Sequence, residues 1–161
     1  MEIDQKKLKE ILHYDPHTGE FTWKVKIGNV VPGRRAGRIN KGYVGIQIDH
    51  VKYAAHRLAF LYMTGEMPKQ FVDHINTNKS DNRFANLRLA NRSQNTTNYG
   101  LRRSNKSGYK GVSWNEKKRK WISRVTFNGK VYQLGSYKNP KEAYQAYLSK
   151  AKELHGEFFH P

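Results

Sequence analysis

The first apolar positions of the chain predict a short amphipathic helix. Leu8, Ile11 and Leu12 recur at helical spacing, and Asp4 precedes them as a residue type that favours the N-cap of a helix. The segment 15–19 contains Asp, Pro and Gly, which are typical turn residues, and should end this element. The chain is therefore expected to begin with a helix and a turn.

Alternation of apolar and polar residues indicates strands in the next part of the chain. Strands are predicted at residues 21–26, 43–48 and 51–55. The Gly-rich basic stretch 33–38 separates the first two, and residues 49–50 form a tight turn between the last two. Residues 56–63 are then apolar enough for a buried helix, which we expect to stop at Gly65.

The C-terminal third has the pattern of a hairpin followed by a helix. The Asn-Gly pair at 128–129 is a strong signal for a two-residue turn between strands at 121–127 and 130–135. Such a turn would pair Phe127 with Lys130, Val125 with Tyr132 and Ser123 with Leu134. Asn139 and Pro140 suit the start of a helix whose apolar stripe should cover one face of the sheet. That stripe consists of Ala143, Ala146, Tyr147, Ala151 and Leu154.

The strongly basic composition adds a partner to this picture. Thirty Lys and Arg against thirteen Asp and Glu leave a net charge of +17, which favours a polyanion, and double-stranded DNA is the first candidate. A membrane surface is the rival, but no apolar run approaches the roughly 20 residues of a spanning helix. The start resembles no signal peptide and the chain has no cysteine, so we expect a cytoplasmic protein without disulfides. No obligate protein partner is evident.

Four polar residues between positions 73 and 95 have spacings that suit a metal-assisted nuclease. The pair Asp73-His74 ends a predicted strand, and Asn86 directly precedes a second strand at 87–90. Asn95 follows nine residues after Asn86. An acid, a candidate base and two amides in so basic a chain favour chemistry on a nucleic acid over a purely structural role.

These residues resemble the motif of the HNH (ββα-metal) endonucleases, particularly the homing enzymes of phages. The resemblance implies a strand that ends at Asp73-His74, a loop, a second strand and a helix. Asn91 and Gln94 have the spacing of a capping box, which places Asn95 in the first turn of that helix. The Asp73 carboxylate and the Asn95 carbonyl oxygen are hard ligands that suit Mg²⁺ or Mn²⁺.

The same resemblance assigns catalytic roles. It implies that His74 is the general base that activates water, and that Asn86 either fixes the imidazole or braces the loop. His56, in a motif that recurs in these nucleases, is interpreted as structural or as a partner of the site. The loop residues Asn78, Asp81 and Asn82 are interpreted as polar groups of the loop, although Asn82 with Arg83 could contact phosphate.

The segment from 108 to 158 resembles an APETALA/ethylene-response-factor-type DNA-binding domain. The resemblance rests on the Tyr-basic-Gly-Val opening at 109–112, the Asn-Gly hairpin, and the closing Leu-His-Gly-Glu-Phe at 154–158. It implies a three-stranded sheet in the major groove whose DNA face includes Lys110, Ser113, Trp114, Arg124, Thr126 and Gln133. Ser113 and Thr126 stand where plant relatives usually have arginine, so fewer bidentate contacts to guanine are available. Trp121 is expected in the core, whereas Trp114 suits core and interface equally.

Together these patterns predict an α+β protein with a ββα-metal nuclease core, an N-terminal β-rich extension, and a small three-stranded antiparallel sheet packed on one helix. The predicted divisions are an extension at 1–55, a core at 56–98, a basic linker at 99–107 and a DNA-binding domain at 108–161. In the linker, Arg102, Arg103 and Lys106 either follow phosphates or form a solvated charge run.

The expected function is a metal-dependent DNA endonuclease, of the homing type if phage-encoded and then located in the host cytoplasm. One active site implies one strand cut per monomer, so nicking is the default prediction. Two alternatives remain. One is a DNA-binding regulator whose nuclease core is inactive, and the other is a basic RNA- or ribosome-associated protein.

Overall fold

The computed structural model describes residues 3–97, 101 and 104–159, which divide into two compact units. The N-terminal unit is Met1–Ala90 and the C-terminal unit is Asn91–Pro161. In the described ranges, no helix is both long and apolar enough to cross a membrane. The helices are α1 (Gln5–Ile11), α2 (Ala55–Thr64), α3 (Arg92–Thr97) and α4 (Pro140–His155). The strands are β1 (Leu12–Asp15), β2 (Glu20–Trp23), β3 (Arg38–Asn40), β4 (Tyr43–Ile48), β5 (Val51–Ala54), β6 (Phe71–His74), β7 (Leu87–Ala90), β8 (Val112–Asn115), β9 (Lys120–Phe127) and β10 (Lys130–Tyr137).

The first helix begins and is capped as predicted. The Asp4 carboxylate accepts a hydrogen bond from the backbone N–H of Lys7 at 2.7 Å, which satisfies one of the free donors at the helix start. Leu12 was expected in the helical stripe, but it begins β1, which pairs antiparallel with β2. Leu12 is nevertheless fully buried, because the short helix and the strand contribute to the same core.

A second sheet has the strand order β3-β4-β5, with β4 in the centre. The predicted turn between β4 and β5 is confirmed, since Asp49 and His50 both have positive φ angles, 47° and 65°. Strand β3 was not predicted, because its three residues are all exposed and lack an alternating pattern. The helix α2 follows β5 directly and ends at Gly65, which adopts the left-handed conformation at φ 87°.

The core of the N-terminal unit gathers the apolar sides of α1, α2 and the two sheets. Its largest buried side chains include Tyr14 and Phe21 on the paired strands β1 and β2, whose rings stack with centroids 4.6 Å apart. Tyr62 of α2 meets the Tyr14 ring edge-on at 5.6 Å. The N-terminal hairpin is therefore packed onto α2.

Strands β6 and β7 form an antiparallel hairpin at the predicted positions. Asp73 pairs with Arg88 and His74 pairs with Leu87 across the two strands. The chain between them, residues 75–86, is a polar loop that ends in a 3-10 turn at Phe84–Asn86. The loop thus leaves and returns at the end of the strand where the two candidate catalytic residues lie.

The C-terminal unit contains a three-stranded antiparallel sheet with the order β10-β9-β8 and the helix α4. Asn139 caps α4, since its side chain accepts from the N–H of Lys141 at 2.8 Å, and Pro140 is the first helical residue. The buried side chains of the helix are Ala143, Tyr147, Ala151 and His155, and the second and third of these pack with Val125 of the sheet. The predicted helix-on-sheet arrangement is confirmed.

The predicted hairpin register is correct for two pairs and wrong for the third. Phe127 faces Lys130 and Val125 faces Tyr132, but Ser123 faces Gly135 rather than Leu134. A β-bulge between Gln133 and Gly135 inserts one residue into β10 and shifts the pairing beyond it. Gly135 has a φ of 134°, which explains why the irregularity falls at a glycine.

Candidate active site

Asp73 and His74 are the last two residues of β6, and their side chains have different neighbours. The Asp73 carboxylate is buried, and its Oδ2 accepts from Nε of Arg88 at 2.9 Å across the hairpin. His74 is adjacent in sequence, and side chains alternate along a strand, so its ring points to the other side of the hairpin. The acid is therefore held by an arginine, whereas the imidazole belongs to another group of residues.

The His74 ring is one of three rings in a cluster within the N-terminal unit. It meets the ring of His56, on α2, edge-on at 5.1 Å. Tyr43, the first residue of β4, lies 6.1 Å from the His74 ring and 5.5 Å from the His56 ring. The Lys79 ammonium of the loop lies 4.9 Å above the partly exposed Tyr43 ring. His56 is thus a neighbour of the site, which supports the second of the two interpretations that the sequence allowed.

Burial favours the neutral form of both histidines. Desolvation lowers the pKa of His74, and this effect outweighs the opposing effects of its hydrogen bond to Asn82 and of the charge of Asp73. Desolvation also lowers the pKa of His56, to about 4, with the neighbouring His74 as the second cause. A neutral imidazole can accept a proton, so the surroundings of His74 suit a general base at neutral pH.

Asn82 is the polar side chain that contacts the His74 ring. Its Oδ1 lies 3.2 Å from Nε2 of His74, and both residues are buried. The sequence suggested only a loop group or a phosphate contact for Asn82. With 2% of its surface exposed, Asn82 is too deeply buried for a phosphate contact from its side chain.

The side chain of Asn86 bonds to the loop, which supports the bracing role of the two roles left open for it. Its Oδ1 accepts from the N–H of Asn76 at 3.0 Å, and its Nδ2 donates to the Asn76 side chain at 3.0 Å. The same Nδ2 donates to the backbone carbonyl of Asp81 at 2.8 Å. These three bonds connect the start, the middle and the end of the loop.

Asp81 strengthens the same network. Its carboxylate accepts from Nε of Arg83 at 2.8 Å and from Nδ2 of Asn76 at 2.7 Å. The hydrogen bond from Arg83 is the main cause that lowers the pKa of Asp81 to about 2. The loop is consequently ordered by its own polar side chains around the candidate base.

Asn95, the other candidate metal ligand, lies on α3 in the C-terminal unit. The predicted capping box is confirmed: the Asn91 N–H donates to Oε1 of Gln94 at 2.8 Å, and the Gln94 N–H donates to Oδ1 of Asn91 at 2.9 Å. Asn95 donates its own N–H to the carbonyl of Asn91, so it lies in the first helical turn. β6, β7 and α3 therefore follow one another in the order that the resemblance implies.

The donor chemistry of the site fits a hard divalent cation. The Asp73 carboxylate offers oxygen ligands, and an amide oxygen together with phosphate and water would complete the kind of all-oxygen set that Mg²⁺ prefers. Within the ranges 3–97, 101 and 104–159, no three His, Cys, Asp or Glu residues gather as a metal-binding group.

In the C-terminal unit, the residues predicted to bind DNA are divided between surfaces. The register places Ser113, Arg124, Thr126 and Gln133 on one face of the sheet. The last three of these are exposed, and this face is the one opposite Val125, which packs against α4. We name these four residues the open face.

Two further predicted DNA contacts lie elsewhere. Trp114 pairs with Trp121 across β8 and β9, with ring centroids 5.1 Å apart, and alternation places both on the side of Val125 rather than on the open face. Trp114 remains 42% exposed, whereas Trp121 is partly buried. Lys110 is partly buried, and desolvation lowers its pKa. Lys106 is exposed, and Arg102 and Arg103 lie outside the described residues.

Sequence reasoning missed two members of the site. Asn82 was grouped with the other loop residues, because nothing in an isolated Asn distinguishes a ring contact from a turn. Tyr43 was assigned to a strand only, and its position next to His74 depends on how β4 packs against β6. Neither signal is local in sequence, so both contacts require the tertiary structure.

Comparisons with known proteins agree with this geometry. Residues 53–97 match the family model described as HNH endonuclease. Protein 3.8 of Escherichia phage T7 is 36% identical over 95 residues, which cover 58% of this chain and 78% of that protein. The uncharacterized HNH endonuclease L560 of Acanthamoeba polyphaga mimivirus is 35% identical over 128 residues, 75% of this chain and 66% of that protein. No solved structure matches the chain significantly.

The matched segment contains α2, the β6–β7 hairpin with its loop, and α3. All four residues of the predicted motif, Asp73, His74, Asn86 and Asn95, fall inside it. An HNH endonuclease domain therefore spans residues 53–97. Nucleases of this family typically use divalent metal ions and act on DNA.

Proposed function

We propose that this protein is a metal-dependent DNA endonuclease that hydrolyses a phosphodiester bond in double-stranded DNA, with His74 as its general base. The observation that carries the proposal is the environment of His74. The His74 ring is buried at the end of β6 and contacts Asn82 and His56. In the sequence, His74 directly follows Asp73. A buried, oriented and neutral imidazole is an arrangement that suits the activation of water.

In the proposed reaction, His74 removes a proton from a water molecule as the water oxygen forms a bond to the phosphorus. The P–O bond to the 3′ oxygen breaks, and that oxygen leaves with a proton from solvent. Such a base contributes about 10²–10⁴ in rate. Asn86 keeps the loop in place around the base through its bonds to Asn76 and Asp81. Tyr43 and Lys79 flank the ring, and Lys79 offers a positive charge to the DNA backbone close to the site.

From the sequence motif alone we propose that the oxygens of Asp73 and Asn95 would bind a divalent cation, Mg²⁺ or Mn²⁺. When bound, such an ion neutralises charge on the scissile phosphate and on the leaving oxygen. Arg88, which donates to Asp73, holds that carboxylate in a fixed orientation for this task. The core of two strands and a helix, β6, β7 and α3, is accordingly proposed to be of the ββα-metal type.

The C-terminal segment is proposed to bind DNA in the manner of an APETALA/ethylene-response-factor-type domain. Its support is the sheet with an exposed polar face and a helix on the other side, together with the motif at both ends of the segment. The open face would supply base contacts, while Trp114, Lys106 and Lys110 would contact the backbone or sugars. The proposed organisation keeps the sequence divisions: extension 1–55, core 56–98, linker 99–107 and binding domain 108–161.

The finer details follow from one active site per chain. A monomer should nick one strand, and a double-strand break would need a second copy. The homing role is proposed from the resemblance of the motif to the homing enzymes of phages, and the relative from Escherichia phage T7 supports a setting in the cytoplasm of an infected host cell.

A second candidate function is supported by the ion pair between Arg88 and Asp73. A carboxylate already neutralised by a partly buried guanidinium binds a cation less readily, so the core could serve only to bind DNA. The protein would then be a DNA-binding regulator. Cleavage and binding measured on the same DNA distinguish this function from that of a nuclease.

The test is Mg²⁺-dependent relaxation of supercoiled plasmid DNA by the wild type and by His74→Ala, with DNA binding measured for both. His13→Ala, which changes an exposed histidine of β1, is the matched control. The proposal expects nicking by the wild type and the control, and loss of nicking with retained binding in His74→Ala. Binding without cleavage by all three proteins, with either Mg²⁺ or Mn²⁺, would replace the nuclease by the regulator.

A further inference from the structure

The backbone of Asn82 is fixed by contacts with a distant part of the chain. Its backbone carbonyl accepts a hydrogen bond from the hydroxyl of Tyr14 at 2.7 Å, in a buried position. Tyr14 lies on β1, 68 residues earlier in the chain, and its ring stacks on Phe21 in the core. The loop next to the candidate base is thereby attached to the N-terminal hairpin.

The turn of that hairpin touches the same point of the loop. A Cβ atom added at Gly19 would lie 2.3 Å from the N of Arg83 and 2.4 Å from the carbonyl carbon of Asn82, so only a glycine allows this approach. Phe84 also donates its N–H to the carbonyl of Pro16 at 3.0 Å. Three independent contacts therefore fix the backbone at 82–84 against the turn that joins β1 and β2.

The fixed backbone determines how the Asn82 amide is oriented. Its Nδ2 donates to the carbonyl of Ser80 at 3.3 Å, which leaves Oδ1 as the atom that faces Nε2 of His74. A carbonyl oxygen can only accept, so Nε2 must be the nitrogen with the hydrogen. The neutral imidazole then has its lone pair on Nδ1.

We infer that Asn82 is a positioning residue, which holds the proton on Nε2 of His74 so that Nδ1 is the atom that accepts the proton from water. The N-terminal hairpin, through Tyr14 and Gly19, holds Asn82 in place. The inference rests on the proposed function for its catalytic consequence. The tautomer itself does not depend on activity, so the two can be tested separately.

The first measurement is the tautomer of His74, observed by long-range ¹H–¹⁵N correlation NMR on the metal-free full chain. The wild type is expected to have the Nε2–H form. Asn82→Leu keeps the branched shape but removes the acceptor, and it should give a mixture of the two tautomers. Asn82→Asp keeps an acceptor oxygen and should restore the Nε2–H form at a pH high enough to keep the imidazole neutral beside the new carboxylate. A wild type in the Nδ1–H form, or an unchanged tautomer in Asn82→Leu, overturns the inference.

The second measurement is steady-state cleavage, which gives kcat and KM, together with DNA binding by the same variants. Asn82→Leu should lower kcat by about tenfold to a hundredfold with KM unchanged, which is less than the roughly 10²–10⁴ lost with the base itself. Asn82→Asp should recover most of the rate. Asn82→Asp could instead restore the tautomer without recovering kcat. That result would assign Asn82 a purely structural role and contradict the inference.

Tyr14 gives an independent variant in case Asn82→Leu does not fold. Tyr14→Phe removes the hydroxyl that donates to the Asn82 carbonyl. It should therefore raise the fraction of the Nδ1–H tautomer at His74. Tyr62→Phe removes a hydroxyl from the adjacent ring of the same cluster and is the control. Equal effects of the two substitutions at His74 would exclude the hairpin from the positioning of the base. If no protein cleaves DNA, the proposed function fails, and the NMR result still decides the inference.

Discussion

His56 keeps its imidazole in the core of the N-terminal unit, although its Nδ1 has no hydrogen-bond partner in the described part of the chain. Its pKa is lowered from 6.5 to about 4, so the folded protein binds a proton there less readily than the unfolded chain does. The stability from neutral His56 is fully present above pH 6.5 and is lost as the pH falls toward 4. The side chain next to the candidate base therefore makes the unit sensitive to acid.

This sensitivity can be measured by urea unfolding at pH 7 and at pH 4.5. The wild type should lose about 2 kcal/mol more than His56→Gln between the two values, because glutamine does not titrate. His13→Gln, at an exposed position, should follow the wild type. Identical losses in all three proteins would show that His56 is protonated in both states or in neither.

The single-residue chemistry of the site was only partly accessible from the sequence. The motif identified Asp73, His74 and Asn86, because their order along two strands and a loop is a local pattern. The bond between Asn82 and His74 and the pair between Asp73 and Arg88 were not predicted. Both depend on which side chains face each other after the hairpin and loop have folded, and residue type alone does not determine this.

Among the secondary-structure elements, those with strong local signals were predicted well. The hairpin turn at 128–129, the capped start of α4 and the strand β7 agree with the structure. The bulge in β10 and the short strand β3 were missed. A bulge changes no local composition, and three exposed residues have no periodicity, so pairing with neighbouring strands determines both.

The packing of α4 on its sheet depends on one glycine. A Cβ added at Gly111 would lie 2.1 Å from Cδ2 of Tyr147 and 2.7 Å from the carbonyl oxygen of Arg124, at a φ of 73°. Gly108 has nearly the same φ, 74°, but nothing within 4 Å of its added Cβ. The two positions separate the cost of the backbone conformation from the cost of the clash.

Alanine substitutions at these glycines should differ in a defined way. Gly108→Ala should cost roughly 1–2 kcal/mol for the left-handed conformation alone. Gly111→Ala should cost at least about 2 kcal/mol more and reduce amide protection in α4, since Tyr147 must leave its site. Thermal unfolding and hydrogen exchange measure both effects. Equal stability of the two variants would mean that α4 can move away from the sheet without a loss in the free energy of unfolding.

The molecule as a whole is dominated by its charge of +17. Its binding to DNA should therefore weaken steeply with salt, by about 0.9 in log K per log unit of salt for each neutralised phosphate. Arg124→Ala, on the open face, should reduce that slope by about 0.9 if Arg124 contacts a phosphate and by less if it contacts a base. Lys150→Ala, on α4, should leave the slope unchanged.

Fluorescence anisotropy with a labelled duplex between 50 and 300 mM NaCl gives these slopes. If Lys150→Ala changes the salt slope more than Arg124→Ala does, the DNA-binding surface lies on α4 rather than on the open face. Composition alone predicted the polyanion, because charge is a sum over the chain. The surface could not be predicted in the same way, since it depends on strand register.

The contact between the N-terminal hairpin and the loop at 82–84 also limits which segments of this protein can be exchanged with those of a relative by recombination. The family match begins at residue 53, yet Tyr14 and Gly19, which lie outside it, touch the loop that surrounds the candidate base. A crossover that exchanged only residues 53–97 with a relative would join a foreign loop to a turn shaped for this one. Viable chimeras should therefore inherit the first 90 residues from a single parent.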